Sequence, residues 1–325
     1  MRVLIITTEW PRFDGDIVGI HVVHQISSLR QAGLDADVFP VRGQKNPLNY
    51  WHASRDLNRL DLEKYDVIHA HHGQSGIVAL SQHKRPVVVT FHGSDLQGIR
   101  DLYGRITLLG YVLRLSSRWV AHRANAVIVV SEHLARYLGS RVNYHVIPAG
   151  IDMELFCPML MAEARLVLGL PPTERLILFV GNPERTEKRF WLAEQAVAVL
   201  AEKMDVKLIL AHDISHQQMP FFMNACDVLL VTSSTEGSPS VVKEALACNL
   251  PIVSTDVGDI RQRIFSVAGC HICADDQPET IAEALGQVIY HSSGRIAGRE
   301  TVLEFNETDL IRKVIALYEG LACPI

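Results

Sequence analysis

The chain has 325 residues, 48% of them apolar and 21% charged, with a formal net charge of -5. That length suffices for two ordinary domains. The acidic balance argues against nucleic acid as the main partner, and no apolar run approaches the roughly 20 residues that span a bilayer. The sequence opens directly into a strand, Arg2–Thr7, without the basic start and apolar run of a signal peptide, so a cytoplasmic location is expected.

Short runs rich in Val, Ile and Leu alternate with stretches of helical spacing. Segments 3–7, 36–41, 67–70, 87–91, 126–130 and 145–147 read as strands, and a helix over 21–32 repeats Val22, Ile26 and Leu29 on one face. The alternation starts again with strands at 176–180, 207–211, 228–232, 252–254 and 271–272. Strand–helix alternation implies a parallel sheet covered on both faces. The fold class is therefore α/β: two doubly wound, Rossmann-like domains, 1–150 and 151–306, joined by a hinge near Pro148–Asp152 and facing each other across a cleft. A last helix over 307–321 carries Leu310, Val314, Leu317 and Leu321 on one face and needs a surface to pack on, the first domain being one candidate. In such sheets ligands sit beyond the carboxyl ends of the strands.

Four strand ends carry chemistry. After 228–232 comes Glu236-Gly-Ser-Pro-Ser-Val-Val-Lys-Glu244. Ser238 reads as an N-cap, with Pro239 at the first helical position of a helix reaching about Cys248. The start of that helix suits a diphosphate, Glu236 lies beside it, and Glu244 in the second turn can accept hydrogen bonds from paired ribose hydroxyls. A capped helix with ordinary surface acids fits the same residues. The loop Gly181-Asn-Pro-Glu-Arg-Thr-Glu-Lys-Arg189 follows the first strand of the second domain; it is basic, as many solvated loops are. Thr90-Phe-His-Gly-Ser-Asp95 ends a first-domain strand, with Asp95 read as a cap or an acceptor contact. The segment from Glu9 to Gly19, bracketed by Gly15 and Gly19, leads into the first helix, on which His21 and His24 read as exposed-face residues. It lacks the G-x-G-x-x-G fingerprint, which argues against a nicotinamide enzyme.

The E-x7-E spacing of Glu236 and Glu244, the longer run to Gly258 and the strand entry at Asp227 resemble glycosyltransferase family 4. The sequence is close to bacterial polysaccharide-biosynthesis members with the motif E-G-S-P-x-V-V-K-E. The stretches 66–73, 129–133 and 146–152 resemble that family as well. The resemblance implies two Rossmann-like domains (GT-B) and retaining transfer of a sugar from a nucleoside diphosphate sugar, UDP or GDP, to a carbohydrate or lipid-linked acceptor. It implies no metal and no cofactor. It assigns the donor ribose to Glu244, the donor sugar to Glu236, and sugar and diphosphate contacts to Gly237, Ser238, Pro239 and Ser240. It gives the leaving diphosphate to Gly181 and Lys188, the reaction centre to His92, and donor phosphate contact to Gly19. The family's Arg after the glycine is Asn182 here, which leaves Arg185 or Arg189 to supply the charge, or Lys188 and backbone amides to carry more of it.

Asp35-Ala-Asp37 spells a D-x-D metal motif but opens an edge strand. His69, His71 and His72 sit at a strand end without a carboxylate at ligand spacing. The six cysteines, with only Cys270 and Cys273 as a C-x-x-C pair, read as core thiols. In 103–123, Leu108, Val112, Leu115 and Trp119 form an apolar stripe beside Arg114, Arg118 and His122. That pattern fits either peripheral contact with the inner face of a membrane or packing on the sheet. Two rival functions share the architecture: a nucleotide-sugar 2-epimerase, for which no acid–base motif is visible, and a catalytically silent nucleotide-sugar-binding protein, suggested by Asn182.

Overall fold

The computed structural model describes residues 1–12, 18–42, 46–99, 105–291 and 294–322. It forms two compact units: Met1–Gly150 with Glu307–Ile325, and Ile151–Asn306. Gly15 and Cys323 lie outside the described residues.

The first unit runs β1 (Arg2–Thr7), α1 (Ile20–Gln31), β2 (Asp35–Pro40), α2 (Pro47–Leu57), β3 (Val67–His71), α3 (Gly73–Ala79), β4 (Val87–Phe91), α4 (Ser94–Gln97), α5 (Leu108–Arg123), β5 (Ala126–Val129), α6 (Glu132–Ala135) and β6 (His145–Val146). Its six strands are all parallel, in the order β2-β1-β3-β4-β5-β6. β3, β4 and β5 are buried at every residue, as strands covered on both faces must be. One core packs Leu57 of α2, Val78 of α3 and Val120 of α5 against Leu4, Ile68, Val89 and Val127 of the sheet.

The second unit runs α7 (Met161–Leu168), β7 (Arg175–Val180), α8 (Phe190–Ala201), β8 (Val206–Ala211), α9 (Met219–Ala225), β9 (Val228–Val231), α10 (Ser240–Ala247), β10 (Ile252–Ser254), α11 (Ile260–Ile264), β11 (His271–Ile272) and α12 (Pro278–His291). Its five parallel strands are ordered β11-β10-β9-β7-β8. Leu192, Ala196 and Leu200 of α8 and Ile281, Leu285 and Val288 of α12 close its core over Ile177, Val228 and Val253.

The last helix, α13 (Glu307–Ala322), belongs to the first unit and packs on α1 and β3. Tyr318 is fully buried, and its hydroxyl meets His69 Nδ1 at 2.5 Å while His69 Nε2 meets Thr90 Oγ1 at 2.7 Å. Glu307 also accepts the Ser28 hydroxyl. Burial pushes the His69 imidazole down to about 3, so it packs as a neutral ring.

Several details differ from the sequence reading. β9 stops at Val231 because the Thr232 hydroxyl turns away to the Lys188 and Arg189 carbonyls (2.9 and 3.0 Å). Asp35 and Asp37 do not simply face solvent: Arg2 joins both (3.1 and 2.8 Å), and the Tyr65 hydroxyl donates to Asp37 (2.8 Å). The edge strand is pinned by its acids through Arg2 and Tyr65. Cys226, Cys248 and Cys273 are buried, and burial pushes their thiols up to about 12, as it does that of the half-buried Cys270.

The apolar stripe of α5 points outward. Gly110, Leu113, Ser117, Val120 and Ala121 form the buried face, whereas Leu108 is 83% exposed, Leu115 65% and Trp119 51%. Packing on the sheet is thus the work of a second, smaller-residue stripe. His122 and Arg123 are exposed beside it, while Arg118 donates to the Tyr137 carbonyl (2.8 Å) and the Arg114 guanidinium lies 5.6 Å over the Tyr137 ring.

Candidate active site

A doubly wound sheet opens a crevice where its strand order reverses. In the second unit that point lies between β7 and β9, whose carboxyl ends release the loops 181–189 and 232–239. The two loops are stitched together. Arg189, at the start of α8, donates to the carbonyls of Thr232 (2.6 Å) and Ser233 (3.0 Å) and pairs with Asp276 (2.5 Å). Ser234 N–H donates to the Glu187 carbonyl (2.8 Å). This stitching sets Lys188 opposite Glu236, and their side chains pair at 2.7 Å, both largely sheltered from solvent.

Gly181 makes the approach possible. Its φ of 140° is one that side chains rarely adopt, and the Lys188 stem passes 3.8 Å from where a Cβ would stand. Asn182 does not stand in for a cation; its Oδ1 accepts the Glu184 N–H (2.8 Å) and closes the turn. Arg185 is exposed and paired with Glu187 (2.5 Å), and Arg189 is spent on the loop after β9. Neither arginine therefore joins Lys188, the cation the structure brings to this corner.

α10 begins at Ser240, with Pro239 as its cap residue. The expected cap by Ser238 does not form: its hydroxyl donates to Asp259 Oδ2 (2.9 Å), which also takes Arg263 Nε (3.1 Å). Asp259 is 1% exposed, so it draws in every donor it can reach. The loop after β10 also braces the backbone of the motif, because a Cβ on Gly258 would stand 3.0 Å from the carbonyl oxygens of Glu236 and Gly237. The first turn of α10, with its positive dipole end, thus starts from a fixed loop beside the Lys188–Glu236 pair.

Glu244 is 13% exposed at its side chain and lies 3.5 Å from His216 Nε2, which the sequence reading missed; His216 packs edge-on against Phe156. Lys243, unremarked as well, is 1% exposed. Burial pushes its ammonium down to about 8, against the attraction of Asp259 and Glu244, and it rests 5.5 Å over the Phe305 ring. Neither was legible, because each is defined by partners distant in sequence.

In the first unit the strand order reverses between β1 and β3. His92, at the end of β4, lies here with His71, His72 and His21. His71 Nδ1 and His92 Nε2 are 3.0 Å apart, and the His21 and His92 rings are centred 4.6 Å apart. Burial, and then the charge of His72, hold the His92 imidazole well below its usual range, so it is neutral near pH 7. His72 is the opposite case. Burial opposes its charge, yet Asp95 (3.6 Å) and Glu9 (3.4 Å) outweigh it and lift the imidazole to about 10.

Two expectations are corrected by this cluster. His21 and His24 are half-buried, not on an exposed face, and the histidine run at the end of β3 does have carboxylates near it, delivered by other elements. Gly19 caps α1 with φ 68°, and a Cβ there would stand 2.2 Å from the Glu9 carbonyl oxygen; its glycine is needed to let Glu9 approach. Asp95, in the first turn of α4, accepts the N–H groups of Gly93 (2.9 Å), Leu96 (3.0 Å) and His92 (3.3 Å).

Comparison with known proteins gives a consistent picture. The family model Glycosyltransferase Family 4 matches residues 1–155, and the model Glycosyl transferases group 1 matches 212–291. The putative teichuronic acid biosynthesis glycosyltransferase TuaC of Bacillus subtilis is 29% identical over 250 residues, 69% of this chain and 60% of that protein. The D-inositol 3-phosphate glycosyltransferase 1 of Catenulispora acidiphila is 25% identical over 305 residues, 79% of this chain and 72% of its own. Sucrose-phosphate synthase of Thermosynechococcus elongatus shares the fold, with a TM-score of 0.81 at 20% identity over 98% of each chain. HepE of Anabaena, solved with UDP-glucose, superposes with a TM-score of 0.71 at 16% identity over 99% of this chain and 100% of its own. With two Rossmann-like units and matches to both models, the chain is similar to the glycosyltransferases of family 4.

Proposed function

We propose that the protein transfers a sugar, with retention at the anomeric carbon and without a metal ion, from a nucleoside diphosphate sugar to an acceptor hydroxyl. The observation that carries this reading is the Lys188–Glu236 pair at the strand-order reversal of the second unit, beside the start of α10. Lys188 and the backbone N–H groups of Gly237, Ser238 and Ser240 take up charge as the bond from the anomeric carbon to the diphosphate breaks. The acceptor oxygen bonds to that carbon on the same face, and its proton passes to the departing phosphate. Glu236 contacts the donor sugar, Glu244 holds the ribose hydroxyls, and neutral His92 lies at the reaction centre. HepE was solved with UDP and with UDP-glucose, which favours a UDP- or GDP-sugar donor. The teichuronic acid relative favours a place in cell-surface polysaccharide or glycolipid synthesis.

A panel of UDP-, GDP- and ADP-sugars, scored by thermal shift and by release of free nucleotide, tests the reading. One nucleotide series should raise the melting temperature, and Glu244→Ala should lose most of that rise. A variant that binds as well as the parent removes Glu244 from the donor site. Asn182 and the Arg185–Glu187 pair favour one alternative, a silent binding protein. Tight nucleotide binding with neither transfer nor hydrolysis of any donor would establish it.

The second proposal is that the outward stripe of α5 rests on the inner face of an anionic membrane, where a lipid-linked acceptor is presented. No helix among the described residues is long and apolar enough to cross a membrane. Leu108, Leu115 and Trp119 with Arg123 and His122 offer an apolar face with basic flanks. The protein should sediment with phosphatidylglycerol vesicles at low salt. Leu115→Glu with Trp119→Glu, both on the exposed face, should cut that binding by about 10-fold or more. Equal sedimentation of the double variant would reject α5 as the contact.

A further inference from the structure

We propose that His21, His72 and His92 form a binding site for a divalent transition-metal ion of the zinc type in the first unit. One ring nitrogen of each lies within 4.8 Å of the other two. Three imidazoles are a common donor set for such an ion. Bonds of about 2.1 Å in a tetrahedron require nitrogens roughly 3.4 Å apart. The rings must therefore close by about an ångström, which side-chain torsions can supply without moving the strands.

The surroundings fit a cation in three ways. Glu9 Oε2 lies 3.4 Å from His72 Nε2; an ion taken up there would replace the proton between them, with Glu9 as a fourth ligand. Asp95 Oδ2 lies 3.6 Å from His72 Nδ1, the carboxylate–histidine pairing that orients many metal-bound imidazoles. His71 holds His92 through a 3.0 Å nitrogen–nitrogen contact, fixing that ring in the same way. His71 Nε2 is buried without a hydrogen bond among the described residues.

The backbone supplies a further argument. His72 is held at φ 72°, a conformation that side chains other than glycine rarely adopt. The strain turns its ring into the corner between Glu9, Asp95 and His92. The helix that follows, α3, starts one residue later, so the corner is anchored on one side by β3 and on the other by α1 through His21.

The three histidines lie in the first unit, whereas Lys188, Glu236 and Glu244 lie in the second. It also competes with the transfer reaction, because an ion bound to His92 removes that ring from any sugar. Zinc should therefore inhibit transfer, although binding itself is the test.

The full chain, with any histidine tag removed, is stripped with chelator, titrated with Zn²⁺ by calorimetry and with Co²⁺ by visible absorption. The expected result is one ion per chain and the intense band of tetrahedral Co²⁺. His21→Ala with His92→Ala should weaken binding by about 100-fold or more while the circular dichroism stays that of the parent. His72→Gly, which relieves the backbone strain and so protects the fold, should do the same. Absence of stoichiometric Zn²⁺ binding by the parent overturns the proposal. Binding that persists undiminished in folded His72→Gly and in the double variant overturns it as well, since the ion then sits elsewhere. Neither outcome bears on the donor panel, which reads the second unit.

Discussion

Lys188→Met is expected to lower kcat for sugar transfer by about 10²–10³-fold, the range for removing one preorganised donor to developing charge. The expectation is large because, among the described residues, no second cation is placed to share that role. Asn182 closes a turn, Arg185 is paired in solvent, and Arg189 is tied to the loop after β9. The substitution also leaves Glu236 without its 2.7 Å partner in a largely sheltered position. Part of any loss could then arise from a misplaced or protonated Glu236. A double-mutant cycle separates the two causes. If Lys188 serves only to neutralise Glu236, Lys188→Met with Glu236→Gln should be as active as Glu236→Gln alone. If it serves the leaving diphosphate, the double variant should be slower than Glu236→Gln alone. Transfer by Lys188→Met at the parental kcat would remove Lys188 from the chemistry. The aliphatic methionine stem fills the same space over Gly181, so the loop itself should persist.

The strands were readable because parallel strands buried on both faces are runs of β-branched residues, and all eleven fall within a residue or two of the apolar runs. Lys188, Glu236 and Gly181 were readable because they follow strands and match a family motif. Ser238 was misread for a reason that local pattern cannot reveal. Its position is right for a cap, but a buried Asp259 arriving from the loop after β10 offers a stronger acceptor. The same limit hid His216 beside Glu244 and Glu9 beside His72, pairs separated by 28 and 63 positions in sequence order. Periodicity found the apolar stripe on α5 but could not orient it. Gly110, Ser117 and Ala121, small enough for close approach to neighbouring elements, took the inner face instead.

The second large effect concerns stability. Asp227→Ala is expected to destabilise the second unit by about 3–5 kcal/mol, the cost of leaving a buried charge without its partner. Asp227 precedes β9 and is 4% exposed. It accepts the Leu176 N–H at 2.7 Å, on the neighbouring β7, and pairs with Arg165 at 3.0 Å. Arg165 is 3% exposed, and its other donors reach the carbonyls of Ala225 (2.8 Å) and Pro172 (2.7 Å), so it cannot swing out to water without breaking them. Arg175, half in solvent at 3.3 Å, adds little. Denaturant unfolding of the second unit reads the loss, and a change below about 1 kcal/mol would show that Arg165 finds another partner. Asp227→Asn keeps an acceptor for Leu176 and should fall between the two. Because Asp227 belongs to the same motif-bearing stretch as Glu236, the variant also tests what the motif is for. The folded fraction of Asp227→Ala should turn over donor at close to the parental rate, whereas Lys188→Met should be fully folded and slow. Resemblance treats both residues as signature positions; geometry assigns Asp227 to the architecture of the sheet, and the proposed role of Lys188 is to meet the charge on the leaving group.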